Sequence, residues 1–120
     1  MVSVLNRAVL QELVDSLDAE FAVQLIDVFL DDSAQLVDEI RGGLEGRDAD
    51  RLRRAAHTLK SNGQTFGLDQ LAPLCRELEG FAVAEQWQSA ADTAAQVPDA
   101  YRAARRALEE ARKEYGHVGQ

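Results

Sequence analysis

Leu52-Arg53-Arg54-Ala55-Ala56-His57-Thr58-Leu59-Lys60-Ser61-Asn62-Gly63-Gln64-Thr65-Phe66-Gly67 is the stretch that decides the reading of this chain. Successive residues of an α-helix lie about 100° apart. With Leu52 set at zero, Ala56, Leu59, Gly63 and Phe66 fall within roughly 40° of it and Ala55 about 60° to one side, an amphipathic stripe. His57 falls at about 140°, on the solvent side of the same helix. Asp48 can cap the start of this helix, and Gly67 supplies a left-handed stop. One turn from the histidine stand Arg53, Arg54, Lys60 and Ser61, with Gln64 two turns on.

The same periodicity continues on both sides. Asn6 caps a short first helix, roughly 7–16, with Val9, Leu10, Leu13, Val14 and Leu17 on its apolar side. Asp18 caps a longer second helix in which Ala22, Leu25, Ile26, Phe29, Ser33, Leu36 and Ile40 recur, and Gly42-Gly43 are expected to stop it. Asp69 is expected to cap a fourth helix with Leu71, Leu74, Cys75 and Leu78 buried and Pro73 in its first turn. From Glu85 to Tyr115 the composition is helical, with Pro98 expected to kink or split the segment and Gly116 to end it. No alternating strand pattern competes. The reading is all-α: an antiparallel four-helix bundle with a short additional N-terminal helix. The expected organisation is one domain over 1–120, the bundle spanning roughly 6–115 and residues 116–120 forming a flexible tail.

Composition narrows the function. A net charge of −8 opposes nucleic-acid binding, and the small cluster Arg51, Arg53 and Arg54 has no aromatic platform beside it. No apolar run approaches the ~20 residues that span a bilayer, and the amino terminus lacks a basic segment before an apolar core. The single cysteine, Cys75, fits a reducing compartment and reads as a small buried residue. The expected setting is the cytoplasm. A di-metal bundle site needs Glu-x-x-His pairs, but Arg54 precedes His57 by three positions. His117 is expected to be inert in the tail. No nucleophile motif of a hydrolase is present.

A solvated imidazole titrates near pH ~6.5, so a neutral ring nitrogen is available to attack an electrophile. Neighbouring cations favour the neutral ring and would stabilise an anionic group placed upon it. Periodicity alone would leave His57 an ordinary surface residue. The segment Ala56 to Gly67 is more specific, because it resembles the phosphorylation motif of histidine-containing phosphotransfer (HPt) domains. That pattern is a histidine, a variable residue, an apolar residue, lysine, small residues, and a glycine ten positions after the histidine; His57, Leu59, Lys60 and Gly67 match it. Leu71-Ala72-Pro73-Leu74-Cys75-Arg76-Glu77-Leu78-Glu79 is similar to the family's next helix.

The resemblance implies that His57 is the phosphorylated nucleophile, that Lys60 neutralises phosphoryl oxygens, and that Glu79 bonds the imidazole and fixes its tautomer. It places Arg53, Ser61, Gln64 and Gly67 among the binding positions. It also implies a phosphocarrier rather than an enzyme. No glycine-rich phosphate loop or acidic metal cluster for Mg-ATP is evident. The expected partners are response-regulator receiver domains and a hybrid sensor histidine kinase. The chain would need no cofactor of its own, Mg²⁺ being supplied by the receiver, and would act as a monomer. Two departures bear on partner preference and rate: Ser61 stands where glycine is usual, and Gly63 where serine or alanine is commoner. For docking, Val23, Leu30 and Val37 offer an apolar row, though packing against the first helix is their expected role. The Phe29-Leu30 region or the first helix itself could also border the site. The alternative reading is a helical module that docks receivers or a sensor kinase without being phosphorylated.

Overall fold

Capping side chains start the first three helices where the sequence places them. In the computed structural model, which describes residues 2–118 apart from the side chains of His117 and Val118, α1 spans Arg7–Ser16, α2 Ala19–Glu45 and α3 Ala49–Phe66. They are followed by α4 (Leu71–Val83), α5 (Trp87–Ala94) and α6 (Val97–Val118). Among the described residues there is no strand. Asn6 Oδ1 accepts from the amides of Ala8 and Val9, Asp18 from Phe21, and Asp48 from Arg51. Gly67, at φ 77°, closes α3 with two bonds. Its own amide reaches the Gln64 carbonyl, and the Leu68 amide reaches Gly63 at 2.7 Å, a Schellman arrangement.

Four helices pair antiparallel. α3 lies between α2 and α4, and α6 returns along α2. The α2–α6 register is written in three contacts: Asp27 with Arg112, the Leu30 carbonyl with Arg105, and Ser33 with Tyr101. The core is built from Leu10, Ile26, Phe29, Ile40, Leu52, Leu59, Phe66, Leu68, Leu71, Leu78 and Leu108, with Phe29 and Phe66 rings 5.4 Å apart. Ser33, fully buried, shares a 2.8 Å hydrogen bond with Tyr101, whose hydroxyl also receives one from Arg105. This is a polar seam between α2 and α6.

Several expected boundaries move, each for a physical reason. α2 does not stop at Gly42-Gly43; it runs to Glu45. A Cβ on Gly43 would lie 2.8 Å from the Leu52 amide nitrogen, so this glycine brings α2 and α3 together rather than ending a helix. Asp69 does not cap α4. Gln70 holds that position without a side-chain bond, and Asp69 accepts instead from the Asn6 amide side chain. Pro98 splits its segment: α5 ends at Ala94 and α6 begins at Val97, where the missing amide costs little. α6 also passes through Gly116 to Val118, because one glycine costs only about 1 kcal/mol and does not by itself end a helix. Of the tail expected over 116–120, Gly119 and Gln120 lie outside the described residues, as does the side chain of His117.

Two glycine substitutions should therefore move stability in opposite directions. Gly43→Ala pushes a methyl group against backbone and should lower unfolding free energy by roughly 1–3 kcal/mol, partly offset by better helix propensity. Gly80→Ala, with nothing within 4 Å of the added carbon, should raise it by up to about 1 kcal/mol. Urea denaturation of both variants checks the pair.

Candidate functional site

His57 sits midway along α3 on the face away from the Leu52–Leu59 stripe, and its side chain is 54% exposed. The antiparallel register of α3 and α4 brings Glu79 opposite it. Glu79 Oε2 stands 2.7 Å from His57 Nδ1, and Glu79 Oε1 lies 2.6 Å from Lys60 Nζ. One carboxylate thus bridges the ring and the lysine one turn along. Lys60 and Glu79 are the sheltered members, at 18% and 21% exposure. The bond to Lys60 and then that to His57 hold the Glu79 carboxyl below the ordinary glutamate range, although partial burial opposes this. An ionised carboxylate only accepts hydrogen bonds, so Nδ1 is the protonated nitrogen of the neutral ring. Nε2 then carries the lone pair.

The remaining candidate positions divide. Arg53 borders the site but donates to Asp50 at 2.9 Å, and Arg54 pairs with the same carboxylate at 3.1 Å. Ser61 and Gln64 are exposed on the histidine's helix. Gly67 is buried and, ten residues on, stands about 15 Å from His57 along the axis. Its carbonyl accepts from the Asn6 amide at 2.7 Å, and a Cβ there would meet the Asn6 carbonyl oxygen at 2.8 Å. Its place is in the α3–α1 junction, not beside the ring.

Of the expected apolar row, Val23, Leu30 and Val37 are all half-buried. Val37 lines a groove with Ala94, Val97 and Pro98, so it faces α5 and α6 rather than α1. Phe29 is buried against Phe66 and borders no surface. Sequence reasoning missed Val83, 68% exposed and one turn beyond Glu79 on α4. It also missed the link between Lys60 and Glu79. No spacing signals either, since both follow from the α3–α4 register. Asp50 was passed over too, although its place three and four positions before Arg53 and Arg54 is a signal the sequence carries. Among the described residues no group of three His, Cys, Asp or Glu side chains could hold a metal ion, and no helix is long and apolar enough to cross a membrane. Cys75 is buried, its thiol pushed up to about 12 by desolvation.

An exposed histidine on a helical bundle, its Nδ1 tied to a carboxylate, leaves Nε2 as the nitrogen with a lone pair to offer an electrophile. The Hpt domain profile matches residues 24–113, and the chain belongs to that family, the histidine phosphotransfer modules of phosphorelays. Among solved structures it is similar to histidine-containing phosphotransfer protein B (HptB) from Pseudomonas aeruginosa PAO1. That similarity is 27% identity over 96% of this chain and 99% of the other, with a TM-score of 0.87. No match was found among curated proteins.

The bridge also has a consequence for acid stability. Because its folded-state carboxyl titrates below the unfolded value, Glu79 adds stability at pH above the ordinary glutamate range. That contribution is lost as pH falls through its lowered value. Unfolding free energy of wild type should fall more steeply with acidification than that of Glu79→Gln below about pH 4.5. Parallel acid limbs in urea titrations would contradict the assignment.

Proposed function

We propose that His57 is the phosphoryl-accepting residue of this Hpt domain, taking the group from a receiver-domain aspartate and passing it to another receiver. The observation that supports this best is the bond from His57 Nδ1 to Glu79, which leaves Nε2 without a partner among the described residues on a half-exposed ring. The Nε2 lone pair attacks the phosphorus of the acyl phosphate in line. The N–P bond forms as the P–O bond to aspartate breaks, and the leaving electron pair stays on that carboxylate. Transfer onward is the same step reversed. The divalent cation belongs to the receiver's aspartate pocket.

In this reading Lys60, one helical turn along from the ring, meets the phosphoryl oxygens. Small Ser61 leaves room for the incoming domain, while Arg53 and Gln64 contact its rim. Gly67 serves by holding α3 to the amino-terminal segment. Val83 adds an apolar edge next to the charged centre, as docking surfaces require. The whole chain acts as one cytoplasmic, monomeric module between a hybrid sensor histidine kinase and response-regulator receivers.

Incubation with a radiolabelled, phosphorylated receiver domain tests the role of His57. Wild type should acquire an acid-labile, base-stable phosphate, and His57→Gln, checked for unchanged helicity, should acquire none. Equal labelling of both proteins, or of neither with several receivers, would sink the proposal.

A further inference from the structure

Most basic side chains of this chain already have an anion beside them. On α3, Arg51 is held by Glu39, Arg53 and Arg54 by Asp50, and Lys60 by Glu79. Among the described residues, Arg47, Arg76 and Arg106 are the basic residues that make no ion pair. Two of these stand away from the histidine. Arg47 lies in the turn before α3 begins, and Arg106 is on α6, which does not touch α3.

Arg76 borders the histidine's face. Ala72, four residues before it, packs against Gly63 of α3, and Glu79, three residues after it, bonds His57 and Lys60. Residues so spaced share one side of a helix, which sets Arg76 on the α3–α4 seam, about 4.5 Å along the axis from Glu79. It is exposed.

Its lack of a partner has a local cause. Glu79 is the carboxylate placed to pair with it at i+3, and both Glu79 oxygens are turned to His57 and Lys60 instead. Glu77 lies about 100° round the helix and lines a groove with Asp69 and Asp99 on the other flank. Across the seam α3 offers Lys60 and Gln64, neither of them an anion. A helical side chain leans toward the N-terminus of its own helix, so on antiparallel α4 the guanidinium is carried away from the ring, toward Gln64. Arg76 is an uncompensated positive charge at the rim of the site, in a chain of net charge −8.

We infer, on the reading that His57 exchanges phosphoryl groups with receiver domains, that Arg76 is a specificity-determining residue that meets a carboxylate on the receiver's surface. It acts on the encounter and orientation of the partner and does not touch the reacting atoms. A charge at the rim of an interface changes the association rate and its salt dependence more than the chemistry. A receiver with a neutral or basic residue at that place docks less often, which gives the chain a means of telling receivers apart.

The test is transfer to the full chain from a labelled, phosphorylated receiver that serves wild type, followed at low and high sodium chloride. Wild type is compared with Arg76→Gln, Arg76→Glu and Arg106→Gln, the last removing the same charge from a different face. At low salt Arg76→Gln should lower kcat/KM about threefold and Arg76→Glu about tenfold, through KM with kcat unchanged. Both deficits should shrink as salt rises. Arg106→Gln should stay within about twofold of wild type. Labelling of His57 by potassium phosphoramidate, a small donor with no protein surface, should be equal in all four. Equal kcat/KM for Arg76→Gln and Arg106→Gln at low salt, or a deficit that salt leaves untouched, would overturn the inference and leave the carrier standing. Loss of phosphoramidate labelling in the Arg76 variants alone would overturn it too, since the arginine would then serve the ring itself. No label on His57 of wild type, from phosphoramidate or from any receiver, would remove the reading on which it rests.

Discussion

Gly63 stands where an added Cβ would meet the Ala72 Cβ at 3.1 Å, so at this point α3 and α4 pack with almost nothing between them. Everything at the site follows from the register that this contact helps set. Two antiparallel helices held that near each other bring Glu79 level with both His57 and Lys60, which are themselves one turn apart. A shift of α4 by one residue would rotate Glu79 by about 100° and break both bonds. On the other flank Gly43 allows the same intimacy between α2 and the start of α3. The histidine helix is therefore clamped on two sides, and its outer face stays open.

That clamp separates what was legible in the sequence from what was not. The stripe through Leu52, Leu59 and Phe66 was readable because helical period alone decides it, and it put His57 outside. Asn6, Asp18 and Asp48 were readable as caps because each bonds an amide two or three residues away. Gly42, Gly43 and Asp69 were misread, because their roles depend on residues distant in sequence: Arg51, Leu52 and Asn6. Glu79 could be placed through family resemblance, but its hold on Lys60 needed the fold. The motif names the residues; packing decides what they touch.

The chain carries a net charge of −8, yet the helix bearing the histidine gathers Arg51, Arg53, Arg54 and Lys60. Each is paired with a carboxylate: Glu39, Asp50 or Glu79. Such pairs on partly exposed surface contribute little to stability. Their effect is on orientation, since they hold long cationic side chains in fixed places around the ring instead of letting them sweep across it.

The polar seam of Ser33, Tyr101 and Arg105 bears on how the last helix finds its berth. The buried side of α6 carries Val97, Ala104, Leu108 and Ala111 beside Tyr101. Apolar burial is non-directional, so by itself it fixes the axial setting of a helix weakly. A hydroxyl buried on α2 removes that freedom, because only one axial setting gives it a partner, and any other would strand it in the interior. The seam works like an index mark on a sliding scale. It makes the assembled bundle a single, keyed arrangement rather than a family of near-equivalents.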